Sequence, residues 1–191
     1  MQTRSRMENT VLRKQSKRVW AFLGLGAGLP LLLIGLYLVN PFGAHGWDIR
    51  ERVVGHSTYR VSSRSMAPTL TSGDIVVSRA GHYRRHAPVR GDVVLFEPSQ
   101  GGAPWMSRVV GLPGETIAIV DGIVQVDGVP LLEPYVDPAN RTRDYSLHMR
   151  PITVADRQVL LLGDNRDNSD DGRFSGTVGI EALTGRILGV E

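Results

Sequence analysis

A mainly β domain behind one N-terminal transmembrane helix is the fold class this sequence predicts, and three observations predict it. Residues 19–39 read VWAFLGLGAGLPLLLIGLYLV, without a charged side chain. Beyond them the chain falls into short β-branched runs divided by Gly, Pro and Asp, and no segment keeps a 3.6-residue period. Asp121-Gly122 stands between Ile117-Ala118-Ile119-Val120 and Ile123-Val124-Gln125-Val126, a two-residue hairpin signal.

In chain order, residues 1–18 form a basic tail. Arg4, Arg6, Arg13, Lys14, Lys17 and Arg18 oppose a single Glu8, a net +5. The apolar run that follows would span roughly 31 Å as a helix, against a hydrocarbon core of about 30 Å. Pro30 and its glycines weaken a soluble helix but are tolerated in a membrane one. Trp20 and Tyr37 near its ends, with Phe42 and Trp47 beyond, suit the interface. A cleaved secretory signal is the competing reading. The run is longer than the usual apolar core of such signals, and no A-x-A-like site follows it. The tail then belongs in the cytoplasm and everything after about residue 40 outside.

Residues 40–56 read as a juxtamembrane linker, and residues 57–191 as the β domain. Strands are expected at 57–61, 74–78, 92–97, 105–111, 116–120, 123–126, 158–162 and 185–190. Irregular loops are expected around 79–90 and 133–156. The first of these carries four arginines, His82 and His86, and reads as a solvated loop or a contact with anionic lipid headgroups.

Composition excludes several functions. The 191 residues include no cysteine, which removes disulfides, thiolate metal sites and thiol nucleophiles. From Asn40 onward there are 16 arginines, no lysine and 18 acidic residues, a net −2. The basicity belongs to the tail, so a nucleic-acid-binding domain is not expected.

One stretch has the makings of a reactive site: Ser62-Ser63-Arg64-Ser65-Met66-Ala67-Pro68-Thr69-Leu70. Pro68 disfavours helix for Ala67 and keeps the segment extended or turned. In an extended chain Ser63 and Ser65 point to one side, so one hydroxyl can attack while the other donates a hydrogen bond. The same composition fits an ordinary Ser-rich loop. The later run Asp167-Asn168-Ser169-Asp170-Asp171-Gly172 opens like a calcium loop, but Val178 stands where a bidentate Glu is required. An Asp/Asn/Gly turn is the simpler reading. No metal or organic cofactor is expected.

Four segments in order resemble bacterial signal peptidase I. Ser63-Arg64-Ser65-Met66-Ala67-Pro68-Thr69-Leu70 resembles its nucleophile motif, and Gly73-Asp74-Ile75-Val76-Val77 the strand after it. Arg90-Gly91-Asp92-Val93-Val94-Leu95-Phe96 with Arg108-Val109-Val110-Gly111-Leu112-Pro113-Gly114-Glu115 is similar to the segment that presents the catalytic lysine. Residues 163–174, GDNRDNSDDGRF, resemble the last motif. The resemblance covers residue 57 to the C-terminus. It implies a β catalytic domain on the outer face of a bacterial inner membrane, cutting leader peptides from exported preproteins. It also implies roles: Ser65 as nucleophile, Ser63 in the oxyanion hole, and Met66, Arg108, Asp164, Arg166, Ser169, Asp171 and Arg173 supporting the site.

The chemistry suits those residue types. A serine hydroxyl attacks only when a base removes its proton. A donor aimed at the developing oxyanion is worth about 3–4 kcal/mol. The base is where the match breaks: bacterial members carry lysine just before the arginine of the third segment, and here Ser107 holds that position. The only lysines are Lys14 and Lys17, in the tail. Arginine stays protonated and cannot substitute. His45, His56, His82, His86 and His148 are the histidines, and nothing in their spacing selects one. Arg64 also departs, standing beside the nucleophile where many members have glycine. A catalytically impaired relative that binds exported proteins without cleaving them is therefore the alternative function.

Overall fold

The computed structural model describes residues 28–98 and 101–190. The chain divides into two compact units, Met1–Pro41 and Phe42–Glu191. In the first, residues 28–39 form helix α1. Leu29, Leu31, Leu32, Ile34, Leu38 and Val39 along it are all exposed. Among the described residues no helix is long and apolar enough to cross a membrane. The expected span begins at residue 19, and its residues 19–27, like the basic tail, lie outside the described part.

The second unit opens with helix α2 (Ile49–Val53), started by Asp48, whose carboxylate accepts the Arg50 N–H at 2.8 Å. Glu51 in α2 accepts hydrogen bonds from Ser57 Oγ at 2.7 Å and the Tyr59 hydroxyl at 2.6 Å. These bonds tie residues expected to form a linker to the first strand.

The strands are β1 (His56–Arg60), β2 (Ile75–Ala80), β3 (Val93–Phe96), β4 (Trp105–Gly111), β5 (Thr116–Val120), β6 (Ile123–Val126), β7 (Val129–Pro130), β8 (Met149–Thr153), β9 (Gln158–Leu162), β10 (Val178–Gly179) and β11 (Leu183–Val190). Short helices α3 (Asp144–Leu147) and α4 (Gly172–Ser175) sit between them. A seven-stranded sheet runs β1-β2-β11-β3-β4-β9-β10, and a four-stranded sheet runs β7-β6-β5-β8. Every pairing is antiparallel. All eight expected strands form, each within two residues of the expected bounds.

β9 shows why its sequence is one unbroken apolar run. Leu160 and Leu162 pack with Val110, Ile117, Ile119 and Val124, whereas Val159 and Leu161 pack with Val94, Phe96, Val109 and Leu183. Alternate side chains leave opposite faces of a strand, so a strand buried on both faces needs apolar residues throughout. Gly111 closes β4 where a Cβ would meet Ile117 Cγ1 at 2.7 Å and Leu160 Cβ at 2.9 Å. The two sheets approach each other at that point.

The expected irregular loop at 133–156 is corrected: it contains α3 and β8. Pro151 hides β8 from a propensity reading, because proline cannot donate to a ladder. β8 is an edge strand paired only with β5, where proline is tolerated. The opposite edge, β7, also carries a proline, Pro130.

Ile117 on β5 is fully buried, while Ile123, at the start of β6, is 43% exposed. Ile117→Ala is expected to cost about 2–5 kcal/mol in urea denaturation, and Ile123→Ala less than about 1 kcal/mol.

Candidate active site

The serine stretch leaves β1 and turns back towards β2. The Val61 N–H donates to Asp74 O at 2.8 Å and the Gly73 N–H to Val61 O at 2.8 Å, closing the loop at its base. Val61, Met66 and Leu70 are buried in a third apolar cluster with Val76, which fixes the loop from inside. Within it the chain turns: the Ala67 N–H donates to Arg64 O at 3.1 Å and the Leu70 N–H to Met66 O at 2.9 Å. The hydroxyls of Ser63 and Ser65 converge to 3.0 Å, so the pair meets through a turn.

These serines open into a cleft of about 430 Å³ between the loop, β1, the start of β4 and residues 168–170. Of the expected site residues, Ser63, Ser65, Met66, Ser107 and Ser169 all line it. Ser107 is buried on β4, opposite Val94 of β3. Tyr59 lines the cleft too, and burial, with its hydrogen bond to Glu51, pushes its phenol up to about 12.

Arg108, Asp164, Arg166, Asp171 and Arg173 lie behind the cleft in a buried polar layer. Arg108 grips Asp164 with two parallel bonds, Nε to Oδ1 at 2.8 Å and Nη2 to Oδ2 at 2.6 Å. Arg108 also donates to Gly91 O at 2.8 Å and lies over the Tyr135 ring at 3.9 Å. Burial works against its charge, but the bonds to Asp164 outweigh that and raise its pKa. Thr69, from the serine loop, donates to Asp164 Oδ2 at 2.5 Å. Arg166 pairs with Glu133 at 2.6 Å. Asp171 holds Arg173 through bonds of 2.8 and 3.0 Å and accepts the Gly163 N–H at 2.9 Å. Arg173 in turn donates to Arg166 O at 2.7 Å and Ser169 O at 3.2 Å.

This layer reaches the serine loop directly. The Asn165 N–H donates to Ser65 O at 2.9 Å. A Cβ on Gly163 would lie 2.6 Å from Ser65 O and would collide with the Ser169 side chain as well. Gly163 is therefore glycine because Ser65 and Ser169 both pack against it.

Several residues of this layer escaped the sequence reading. Glu133 pairs with Arg166, Thr69 donates to Asp164, Tyr135 donates to Glu133 and lies under Arg108, and Asp170 lines the cleft. Glu133 and Tyr135 fall in the segment expected to be irregular, and no local pattern marks them as partners of Arg166 and Arg108. Asp170 was legible only as a member of the acidic turn and of the last motif, with no role of its own. None of the five histidines lines the cleft.

The family described as "Signal peptidase, peptidase S26" matches residues 37–190. A Synechocystis protein named probable signal peptidase I-1 is 33% identical over 178 residues, 88% of this chain and 82% of its own length. Signal peptidase I of Leptolyngbya laminosa is 35% identical over 163 residues, covering 81% of this chain and 74% of the relative. That of Bacillus caldolyticus is 32% identical over 145 residues, covering 71% and 79%. A crystal structure of a signal peptidase I from Enterococcus faecalis V583 shares 30% identity at a TM-score of 0.44, over 56% of this chain and 97% of that one.

Two outcomes are expected of the polar layer. Asp164→Asn leaves Arg108 buried without its counter-charge and should cost about 3–5 kcal/mol by urea denaturation, much of it recovered in Arg108→Met/Asp164→Leu. The second concerns Asp167, whose carboxyl is held down to about 2. Burial pushes it upward but is outweighed by hydrogen bonds from Ser146, Thr142 and the N–H groups of Thr142 and Arg143. A carboxylate depressed in the folded state stabilises fully above its unfolded value of about 3.9 and loses that contribution as pH falls through the folded one. With solvent screening, Asp167→Asn should cost about 1 kcal/mol at neutral pH. Thermal melts of the two proteins should converge as the pH falls from about 4 to about 2.

Proposed function

Since the chain belongs to the signal peptidase family, peptidase S26, we propose that it is a membrane-anchored serine endopeptidase removing leader peptides from exported preproteins, with Ser65 as nucleophile. The observation that carries this reading is the 3.0 Å approach of the Ser63 and Ser65 hydroxyls at the mouth of the cleft. Ser65 Oγ attacks the scissile carbonyl carbon, and the Ser63 hydroxyl donates to the oxygen that becomes negative. Met66, fully buried, fixes the position of its neighbour Ser65. The pairs Arg108–Asp164, Arg166–Glu133 and Arg173–Asp171 hold the rear wall and take no part in bond making.

The proposed organisation is a cytoplasmic tail over residues 1–18, an anchor over 19–39, a juxtamembrane segment over 40–56 and the catalytic domain over 57–191. The exposed leucines of α1 support the anchor, because a contiguous apolar surface of that kind needs an apolar surrounding. The net +5 of the tail supports a cytoplasmic N-terminus and a domain on the outer face of the bacterial inner membrane.

One observation favours a second reading. Ser107 stands where bacterial members carry the base, and no lysine follows Lys17. A cleft without a base would bind exported proteins and leave them uncut.

Cleavage of a leader peptide by the purified full chain in lipid vesicles separates the two readings. The wild type is expected to cleave, and Ser65→Ala to lose on the order of 10⁶ in rate. Ser107→Lys should cleave faster than wild type. Cleavage seen only in Ser107→Lys would establish the binding role instead, and cleavage persisting in Ser65→Ala would remove Ser65 from the reaction.

A further inference from the structure

We propose that Asp170 is the catalytic base, taking the proton of Ser65 from a position in the cleft that no lysine or histidine occupies. The inference rests on the peptidase reading above and supplies the group that reading lacks.

Three observations converge on Asp170. First, it lines the same cleft as Ser63, Ser65 and Ser107, where the other ionisable side chains are Tyr59 and Arg60. An arginine does not give up its proton, and Tyr59 is half-buried and donates its hydroxyl to Glu51. Asp170 is thus the one lining side chain that offers a basic atom at neutral pH.

Second, it is uncommitted. The segment 163–173 carries four carboxylates, and three are bound: Asp164 to Arg108, Asp167 to residues 142–143, and Asp171 to Arg173 and Gly163. Among the described residues Asp170 has no hydrogen-bond or ion-pair partner, and it is exposed. A carboxylate kept as a wall brace would be paired like its neighbours. One kept for proton transfer has its lone pairs free.

Third, its neighbour Ser169 is held beside the loop that carries the nucleophile. Ser169, its neighbour, packs on Gly163, and so does Ser65 O, while Asn165 binds that same oxygen at 2.9 Å. Asp170 also stands with Trp105 on the divide between the cleft and a second cavity of about 280 Å³, which Glu97 and Asp171 line as well. The charged and titratable groups around it are therefore Arg60 and Tyr59 on the cleft side, and Glu97 and Asp171 on the other.

The proton balance is simple. As Ser65 Oγ bonds to the scissile carbonyl carbon, its proton passes to the Asp170 carboxylate. The resulting acid gives that proton to the leaving nitrogen as the C–N bond breaks. Water then attacks the Ser65 ester, passing a proton to Asp170, and the proton returns to Ser65 Oγ as the acid product departs. A carboxylate is a weak base, but it is available at neutral pH, and a peptide in the cleft excludes the water that weakens it.

The test is leader-peptide cleavage across pH by wild type, Asp170→Asn, Asp170→Glu, Ser107→Lys and Ser107→Lys/Asp170→Asn, all as full chains in vesicles. Asp170→Asn should lower kcat by about 10²–10⁴ with KM unchanged, and Asp170→Glu should restore part of it. Ser107→Lys/Asp170→Asn should cleave again, with its acid limb moved towards the alkaline range of amines. Wild-type rates in Asp170→Asn, or a wild-type acid limb in the alkaline range, would overturn Asp170 while leaving the peptidase reading intact. A wild type that is inert while Ser107→Lys cleaves would also overturn it. If neither wild type nor Ser107→Lys cleaves, the peptidase reading itself falls and takes the role of Asp170 with it.

Discussion

Asp164 is fully buried, and a carboxylate in that position must find donors for both of its oxygens or give up its charge. It finds them in Arg108 and Thr69, and through those two partners three separate parts of the chain meet. Arg108 is next to Ser107 on β4, Thr69 belongs to the serine loop, and Asp164 follows β9 directly. The ion pair therefore sets the distance between the wall that carries Ser107 and the loop that carries Ser65. A buried pair of this kind contributes little net stability compared with apolar side chains of equal volume. Its contribution here is positional, since neither partner can shift without stranding the other.

The arginine-rich wall and the serine-lined cleft divide the electrostatic work between them. Three arginines and three acids cancel in pairs behind the cleft, so the wall presents little net charge to the site. The cleft itself is left with hydroxyls, Arg60 and a single free carboxylate. On the proposed peptidase reading, proton transfer without an amine runs through groups whose basicity depends on how well a bound peptide excludes water. That ties chemistry to substrate fit more closely than a resident amine would.

Most of the fold could be read from the chain because β-branched runs and the Asp121-Gly122 turn are local signals. β8 could not, since Pro151 breaks the pattern and only its place at a sheet edge makes the strand possible. The site divides in the same way. Ser63, Ser65 and the 163–173 motif were visible as motifs, and the position of Ser107 followed from aligning them. Glu133, Tyr135 and Thr69 were not visible, because their significance lies in partners 26 or more residues away that only the packed sheets bring near. Asp170 was in view throughout, but its freedom shows only once its three neighbours are seen to be bound.

The prolines at the two edges of the small sheet bear on how copies of this chain behave when crowded together. An unpaired strand edge is a template for another chain, and a proline in it removes a donor from the ladder. Pro130 and Pro151 blunt both edges of the four-stranded sheet, and β10, with two residues, is too short to template much. Among the described residues this leaves β1, five residues without a proline, as the edge open to strand addition. Tyr59 and Arg60 of that strand border the cleft. Among the described residues, self-association through sheet edges is thus discouraged except at the one strand that borders the serine-lined cleft.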